Sequence, residues 1–447
     1  MESQLEKISA VECRVRVQIP WEAVSPRLNA KVRDLQRKAK LPGFRPGKVP
    51  AQMIERLFGK SVREELAREL VEETFQSAVL RHQKVPLTQP ALESETLDHG
   101  QPFVYAARFE VPPEITPKDY TGVAVRRRPA VADEAQVETR LKAKQEELAE
   151  LRPVAEGRTT TQPGDVWTVD IEGSIGDTRV SRKDAAIEIG KESTEVVPGL
   201  GAELAALNLD AVGTSRQVRF TPPQERLRAD LRGKDAVLTL GFRDVRERHL
   251  PALDDDFARD TGEAESMDEL RAKISAAVLA EDAEVAERDA RQRLVTTLLE
   301  RNDFEVAPSL IAREVEAQVD LFKRQLAQQG VDLRRLGLND QGLSQQMRPQ
   351  ATFNVKAFLL LDAIGKAESI NVTSEELDVE LKKLAEERGQ NIDRMRATME
   401  KNNELLLLTA QLREEKILDL LMSKSEVTEA PDPEPEPEPA GGDTAAS

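Results

Sequence analysis

The spacing of hydrophobic residues divides the first part of the chain into strands and helices. Residues 11–19 and 103–111 alternate between apolar and polar positions, which is typical of strands buried on one face. Residues 22–40 have helical spacing, and a second helical stretch begins near Pro50 and leads into a longer one over 61–82. Strands and helices in this mixture predict an α+β N-terminal domain.

The pattern changes twice more towards the C-terminus. Residues 133–151 are charged and have helical spacing, which predicts a helical connector. From Pro153 to about residue 248, short alternating runs are separated by glycines, which predicts a compact β-rich domain. After Pro251 the apolar positions return to helical spacing and continue so for most of the remaining chain.

Two capping boxes support the helical assignment of this last region. Ser266 with Glu269, and Thr373 with Glu376, have the spacing in which two side chains satisfy the free amides at a helix start. The chain is therefore predicted to be a multidomain α+β protein. Its predicted parts are an α+β domain (1–112), a connector with a helix (113–152), a β-rich domain (153–248), an all-helical domain (249–424) and a disordered acidic tail (425–447).

Composition limits the class of protein. The 447 residues are enough for two to four domains, and only 4% are aromatic, which favours an elongated molecule of several parts. The single cysteine, Cys13, lies on the apolar face of a predicted strand, so we expect a core residue in a reducing compartment. The first residues lack the features of a secretory signal, and no stretch has the apolar length to cross a bilayer. We therefore expect a cytoplasmic protein that has no membrane partner.

The tail has a different composition from the rest of the chain. Residues 425–447 carry seven acidic and no basic side chains, and prolines alternate with acidic residues from Pro431 to Pro439. Such a segment favours extended polyproline-like conformations and does not form a core. We expect it to contribute mainly to solubility.

The segment from Leu41 to Pro50 is the strongest indication of function. Its prolines and glycines exclude a helix or strand interior and predict a stiff loop that presents Phe44, Arg45 and Lys48. Residues 20–60 contain ten basic and three acidic side chains, in a chain whose net charge is −17. An ordinary turn between two solvated helices would explain the loop alone, but the concentrated positive charge favours docking to an anionic partner.

This loop resembles a known signature. Gly43, Phe44, Arg45, Pro46, Gly47 and Lys48, with Pro50, are similar to the ribosome-binding signature of bacterial trigger factor, and the order of the predicted domains is similar as well. The resemblance implies an ATP-independent chaperone that docks beside the exit tunnel of the large ribosomal subunit, on ribosomal protein or ribosomal RNA. It implies that the chaperone binds nascent or unfolded polypeptides and assists their folding or export. Phe44 and Arg45 correspond to family contact residues, whereas the third contact, usually lysine, is Pro46 here.

The middle domain resembles the FK506-binding-protein-like prolyl isomerase domain of the same family. Val197, Pro198, Gly199 and Leu200 are similar to a motif of that domain. The resemblance implies peptidyl-prolyl cis-trans isomerase activity, but most of the aromatic pocket walls of the family are replaced, so we expect the activity to be weak or lost. The pocket equivalents are Ile171, Val180, Ala185, Val197, Leu200, Arg226 and Leu238.

The helical half shows no catalytic motif. The three histidines and Cys13 have no metal-ligand spacing, and no phosphate-binding loop is present, so we expect neither a metal nor another cofactor. Its apolar stripes predict helix-packing cores, and within the family resemblance they also supply client-binding candidates, namely Phe322, Leu326, Met395 and Met399.

Two other functions stay open from the sequence. One is a prolyl isomerase that uses its other domains to bind unfolded substrates, and the other is a nucleic-acid binder that uses the basic N-terminal end. Aromatic residues are not interleaved with the cations there, which disfavours the second. The sequence also leaves open whether the protein forms a homodimer away from the ribosome.

Overall fold

The chain divides into two compact units. The computed structural model describes residues 1–38, 50–191, 196–205, 207–223, 227, 231–328 and 339–431. One unit combines Met1–Arg128 with the chain from Glu287 onward, and the other is Pro129–Ala286.

The N-terminal part of the first unit is a four-stranded antiparallel sheet covered by two helices. The strands follow the order β1-β2-β4-β3, so β2 and β4 are central. Alternate residues of these two strands face the helices, and the ring of Phe75 meets that of Phe109 edge-on at 5.3 Å. The elements are β1 (Glu2–Lys7), β2 (Glu12–Ile19), α1 (Trp21–Lys38), α2 (Ala51–Arg81), β3 (Ala91–Thr96) and β4 (Phe103–Glu110), followed by β5 (Ala124–Arg127).

Helix α2 corrects one prediction. The sequence suggested a short helical stretch near Pro50 and a separate one over 61–82, whereas α2 is a single helix of 31 residues. Gly59 lies between the two predicted stretches, but a glycine inside a helix lowers its stability by only about 1 kcal/mol relative to alanine. Ile54 and Val62 are buried on either side of it, so packing holds the helix continuous through the glycine.

The second unit has its own sheet and its own helical cluster. Strand β10 pairs antiparallel with β7 along one edge, and with β9 and β6 along the other. The helix α4 contributes Leu200 and Leu204 to the core of this sheet, while α3, α5 and the first part of α6 form a separate apolar cluster. The elements are α3 (Glu134–Glu147), β6 (Glu150–Pro153), β7 (Asp165–Ile175), β8 (Thr178–Glu188), α4 (Leu200–Ala205), β9 (Ser215–Phe220), β10 (Ala236–His249), α5 (Asp255–Asp260) and α6 (Met267–Arg301).

The remainder of the first unit is helical, as predicted. Its core joins the last turns of α6 to the following helices through Leu294, Leu298, Leu360, Ile364 and Ile417. The elements are α7 (Pro308–Gln328), α8 (Asp340–Ala367), α9 (Ser374–Glu387), α10 (Ile392–Lys401), α11 (Glu404–Ser423) and β11 (Glu426–Glu429).

Strand β11 corrects the predicted start of the unfolded tail. The sequence placed this start at residue 425, but β11 pairs parallel with β5, and Val427 lies opposite the buried Val125. The amide of Ala430 also donates to the carbonyl of Arg127 (3.1 Å). A short strand of this composition gains its stability from the partner strand, which lies about 300 positions earlier in the sequence and is invisible to local patterns. Residues 432–447 lie outside the described residues.

The two predicted capping boxes differ in completeness. At Thr373 the box is complete, because its hydroxyl accepts from the amide of Glu376 (3.3 Å) and its own amide donates to the Glu376 carboxylate (2.8 Å). The Ser266 hydroxyl likewise accepts from the amide of Glu269 (3.3 Å), but the Glu269 carboxylate accepts from the amide of Glu265 instead of that of Ser266.

Candidate functional site

The predicted docking loop connects α1 to α2. Gly43, Phe44, Arg45, Pro46, Gly47 and Lys48 all lie within residues 39–49, which are outside the described part of the chain. The described flanks are the end of α1 at Lys38 and the start of α2 at Ala51. The two helices pack as an antiparallel hairpin, since Arg27 of α1 meets Glu73 of α2 while Lys31 meets Glu65. We call the end of this hairpin that carries the loop the hairpin tip; its described residues are 33–38 and 50–63.

Away from the tip, ion pairs between the helices neutralise the basic side chains of α1. Arg27 donates to Glu73 (2.5 Å), and Lys31 donates to both Glu65 and Glu69 (2.7 Å each). The hydrogen bond from Lys31 lowers the pKa of the Glu65 carboxyl. The excess of positive charge counted over residues 20–60 is therefore partly cancelled by acidic residues that follow later in the sequence.

At the hairpin tip this cancellation stops. Arg33, Arg56 and Arg63 have no ion pair in the described chain, and the first two are exposed. Arg37 and Lys60 each pair with a carboxylate one turn away on the same helix, and both contacts are long. Arg37 lies 3.7 Å from Asp34, and Lys60 lies 3.9 Å from Glu64. The tip residues contain six basic and two acidic side chains, a net charge of +4. Positive potential is thus concentrated on both sides of the loop.

The hairpin tip also exposes apolar side chains that the sequence analysis did not select. Leu57 is 55% exposed and Met53 is 37% exposed, although Ile54 between them is fully buried. Helical spacing contains the signal, because Phe58, Val62 and Leu66 follow one another at four-residue spacing on the buried face, and Leu57 points away from that row. The tip offers cations together with apolar surface.

The pocket equivalents of the middle domain come together. Ile171, Ala185, Val197, Leu200 and Leu238 are all buried in one apolar cluster of the second unit. Val180 is half-buried against this cluster, and Arg226 lies outside the described residues.

Aliphatic side chains fill this cluster. Leu227 and Leu231, which the sequence analysis did not name, are each 7% exposed and belong to it. The aromatic members are Trp167, which meets Phe242 at 5.4 Å, and the half-buried Phe220. Beside Ala185 is an open depression of about 750 Å³ with a largely polar lining that includes Arg182, Lys183 and Asp184.

The turn that carries the predicted motif requires its glycine. Gly199 has a φ of +88°, which residues with a side chain rarely adopt. A Cβ at this position would lie 3.0 Å from Pro223 and 3.4 Å from the Phe220 ring. The motif therefore has a structural reason in this chain that does not depend on catalysis.

The client-binding candidates are less accessible than residues that the sequence analysis passed over. Met395 is 4% exposed, while Phe322, Leu326 and Met399 are half-buried. Within the described parts of α7 to α11, five other large apolar side chains are at least half exposed: Leu321, Phe358, Val379, Leu406 and Leu407. The run of four leucines at 405–408 contained the signal, because one helix face cannot bury four consecutive residues.

The described residues contain neither a metal-binding cluster nor a membrane-spanning helix. No three histidine, cysteine, aspartate or glutamate side chains come together there in a way that would hold a metal ion. None of the helices in the described ranges combines the length and apolar character that crossing a membrane requires.

Comparison with known proteins gives one consistent family. A family model described as bacterial trigger factor protein matches residues 1–144, and one described as the C-terminus of that protein matches residues 266–423. The trigger factor of Geobacter sp. (strain M21) is 34% identical over 437 residues, which cover 96% of this chain and 99% of that protein. The trigger factor of Geotalea uraniireducens (strain Rf4) is 31% identical over 433 residues, with the same two coverages.

A solved structure agrees with these matches at the level of the fold. It is described as "Promiscuous Substrate Recognition in Folding and Assembly Activities of the Trigger Factor Chaperone", and the TM-score is 0.56. It is 18% identical to this chain and covers 95% of it, while the chain covers 99% of that structure.

Proposed function

The chain belongs to the bacterial trigger factor family of ribosome-associated chaperones, and from this premise we propose that it docks on the large ribosomal subunit, near the exit tunnel, through the hairpin tip. The observation that carries the proposal is the charge distribution of the hairpin. Ion pairs neutralise the cations away from the tip, whereas Arg33, Arg56 and Arg63 at the tip have no ion pair in the described chain. A ribosome presents phosphates and acidic protein edges, which such cations bind.

Within this proposal, Phe44 and Arg45 make the specific contact. An aromatic anchor and an arginine are the side chains that most often dominate a small interface. The Phe44→Ala/Arg45→Ala variant should lose at least tenfold in ribosome affinity, measured by co-sedimentation at fixed salt. Arg27→Ala is the matched control, because Arg27 is paired with Glu73 away from the tip and its loss should change the affinity less than twofold. Equal affinities of the double variant and the unaltered chain would refute the docking site.

Pro46 allows a test by gain of affinity. The family usually has lysine at this position, so this chain has one cation fewer in the loop. Pro46→Lys should tighten ribosome binding severalfold at low salt, and the gain should vanish at high salt because it is electrostatic. A gain cannot result from misfolding, so this variant complements the alanine variants.

We further propose that the exposed apolar side chains of the helical region hold nascent or unfolded polypeptides without ATP. Leu406 and Leu407 are each 71% exposed, and burial of such side chains against an apolar client segment is favourable. Leu406→Ser/Leu407→Ser should weaken the suppression of aggregation of a denatured client and leave ribosome binding unchanged. Leu80→Ser, at a 60% exposed leucine of α2, is the matched control, and an equal loss there would contradict the assignment.

A second candidate function is prolyl isomerisation by the middle domain. The Gly199 turn and the apolar cluster beneath it favour this candidate, whereas the aliphatic filling by Leu227 and Leu231 disfavours efficient catalysis. The full chain should accelerate a proline-limited refolding reaction only weakly. Strong acceleration that persists in the Phe44→Ala/Arg45→Ala variant would make the isomerase reading the better one.

We place the protein in the cytoplasm, where its proposed partners are found. Away from the ribosome we propose a homodimer. Sedimentation velocity over a hundredfold range of protein concentration tests this, and a single monomeric boundary throughout would exclude it.

A further inference from the structure

The sheet of the second unit has an open edge that the proposed function does not use. β8 (Thr178–Glu188) is the last strand in the order β6-β10-β7-β8, and no other strand of the described chain pairs with its outer side. Such an edge presents backbone amides and carbonyls on which a further extended chain can add as a strand. We call the outer side of β8 the β8 edge.

The direction of the backbone groups at this edge follows from the hydrogen bonds to β7. The amide of Ile189, directly after β8, donates to the carbonyl of Asp165 in β7 (2.8 Å). Because the backbone groups of successive residues point to opposite sides of an antiparallel strand, the amide and carbonyl of Ala186 point away from β7. Ala186 is exposed, so an added strand can hydrogen-bond to both groups.

The β8 edge carries free positive charge. Three exposed side chains of β8 have no ion pair with another residue that the structure describes: Arg179, Arg182 and Lys183. The nearby carboxylates of Asp170 and Asp184 share Arg243, at 2.6 and 3.2 Å. Arg243 is the main cause of the lowered pKa of the Asp170 carboxyl, and Lys183 contributes less to it. The two arginines of the β8 edge therefore remain available to a partner, and the lysine adds to their charge.

A β-bulge turns two consecutive cations to the same side. Lys183 and Asp184 together lie opposite the single Asp170 of β7, and the amide of Asp184, whose φ is +50°, donates to the Asp170 carboxylate (2.9 Å). Consecutive side chains of a regular strand point to opposite faces, and a bulge changes this. Arg182 and Lys183 accordingly both line the depression of about 750 Å³, which Val196 lines as well. A chain that lies along β8 meets both cations.

The charges also decide which strand the β8 edge accepts. Charged side chains and bulges protect a free edge from pairing with a copy of itself, because like charges then lie opposite each other. A second copy of this chain is disfavoured at the β8 edge for that reason. An extended segment that alternates acidic and apolar side chains brings carboxylates to the three cations instead. The open edge and its charge together specify an acidic polypeptide strand.

We propose that the β8 edge binds extended acidic segments of unfolded polypeptides by strand addition, with Arg179, Arg182 and Lys183 contacting their carboxylates. The β8 edge belongs to Pro129–Ala286, whereas the hairpin tip and the exposed leucines of α11 belong to the other unit. This client class is additional to the apolar segments proposed for α11, and its binding does not depend on ribosome docking.

Binding of an acidic peptide to the full chain tests the site. The probe is a fluorescently labelled peptide in which valine alternates with glutamate, followed by fluorescence anisotropy at 50 mM salt. All proteins carry Arg33→Ala/Arg56→Ala/Arg63→Ala, which removes the free cations of the hairpin tip as a competing site. Arg179→Ser/Arg182→Ser/Lys183→Ser should weaken the binding about tenfold, and 500 mM salt should abolish the difference.

The matched control changes the net charge by the same amount elsewhere in the second unit. Lys142→Ser/Arg152→Ser/Arg216→Ser removes three exposed cations outside β8 and should alter the affinity less than twofold. Equal losses in the two triple variants would show a general effect of net charge. No detectable binding of the peptide to the unaltered β8 edge would show that its charges only protect it from pairing. Either result would overturn the proposal.

Substitution of Ala186 tests strand addition separately from charge. Ala186→Pro removes an amide that points away from β7, so an added strand loses a hydrogen bond while the ladder to β7 keeps its donors. It should weaken peptide binding about fivefold, whereas Ala186→Val, which keeps the amide, should not. Thermal unfolding of both variants checks that the fold is retained, and equal affinities of the two folded variants would overturn the proposal.

A modified peptide gives the same answer without a change in the protein. A fully N-methylated form of the acidic peptide has the same charges but no amide donors, so it should bind the unaltered β8 edge at least tenfold more weakly. Undiminished binding of this peptide would show attraction by charge alone and would refute strand addition. Ribosomes take no part in these measurements, so a failed docking experiment would leave them valid.

Discussion

Cys13 is a core residue, as the alternation around it predicted. It is 2% exposed between the sheet and the helices, and burial raises the pKa of its thiol. Because the thiolate is the reactive form, the buried thiol should react with a maleimide or disulfide reagent only when the N-terminal part unfolds. Labelling of the native protein should therefore be far slower than labelling in urea. Lys401→Cys, at an exposed site on α10, should react within the mixing time, and comparable native rates at both sites would contradict the burial of Cys13.

Asp362 provides the clearest pH dependence. Partial burial alone would raise the pKa of its carboxyl, but hydrogen bonds from Lys366 (2.7 Å) and Arg413 (2.6 Å) outweigh it, and the pKa is lowered. A lowered pKa means that the stabilisation is present above the ordinary value and is lost as the pH falls through the lowered one. Asp362→Asn should lower the free energy of unfolding by about 1 kcal/mol at pH 7, and the difference should shrink as the pH falls below 3.8, the ordinary pKa of the carboxyl.

Urea unfolding at pH 7, pH 4.5 and pH 3 measures this difference. Asp303→Asn is the control, since the Asp303 side chain is 96% exposed and lies 3.4 Å from its partner Lys356. Its effect should be close to zero at every pH. A difference for Asp362→Asn that does not change with pH would show that packing, and not the charge, is responsible.

Residue-level chemistry at the candidate site was predictable only where it depended on near neighbours. The sequence indicated the apolar cluster around Val197 and Leu200, which the structure contains, whereas the cationic loop at 41–50 stays a prediction. It did not reveal that Glu65, Glu69 and Glu73 neutralise the basic residues of α1, since these pairs join positions that are more than thirty residues apart. Tertiary pairing of this kind has no local period.

At the scale of elements, α8 and α11 cross at a glycine. A Cβ on Gly365 would lie 2.5 Å from Cδ1 of Ile417, a side chain that is 2% exposed and has little room to move. Gly365→Ala should therefore destabilise the first unit by about 1 kcal/mol, because overpacking exceeds the gain in helix propensity. In an Ile417→Val background, which removes Cδ1, the same change should cost less, although Nη2 of Arg413 at 3.0 Å and Cγ1 of residue 417 at 3.2 Å would still lie close to the new Cβ.

Unfolding free energies of the four proteins in this cycle measure the coupling between the two sites. Gly59→Ala is the control, because Gly59 is also helical but a Cβ there would meet side-chain atoms at 3.4 Å, which is an ordinary contact. That change should stabilise the protein by about 0.5–1 kcal/mol. If Gly365→Ala is equally stabilising, the two helices do not touch as closely as the structure indicates.

An element could be predicted from the sequence only if its own residues show a clear hydrophobic period. Strand β2 and helix α1 have clear periods, and both form close to where the sequence placed them. The exposure of Leu406 and Leu407 was not predicted, although four consecutive leucines cannot all lie on one buried helix face. Strand β11 was missed because four residues between a helix and an acidic run give no period of their own.

At the scale of the whole molecule, β11 fastens the end of the helical region to the connector that follows the N-terminal sheet. Besides the ladder with β5, Lys424 pairs with Glu368 (2.9 Å), and the hydroxyl of Tyr120 donates to the same carboxylate (3.0 Å). A chain that ends at Lys424 keeps these last contacts but loses β11 and uncovers Val125, which is 2% exposed.

Such a truncation should lower the stability of the first unit by about 1–2 kcal/mol, since it exposes one buried valine and leaves the β5 ladder unpaired. Differential scanning calorimetry of the full chain, a chain ending at Pro431 and a chain ending at Lys424 measures the effect. The Pro431 chain should melt like the full chain, because it retains β11. In the Lys424 chain, one transition should shift down by several degrees while the transition of Pro129–Ala286, which contains neither strand, stays in place. A shift of both transitions, or of neither, would show that β11 does not stabilise the first unit in the way its pairing implies.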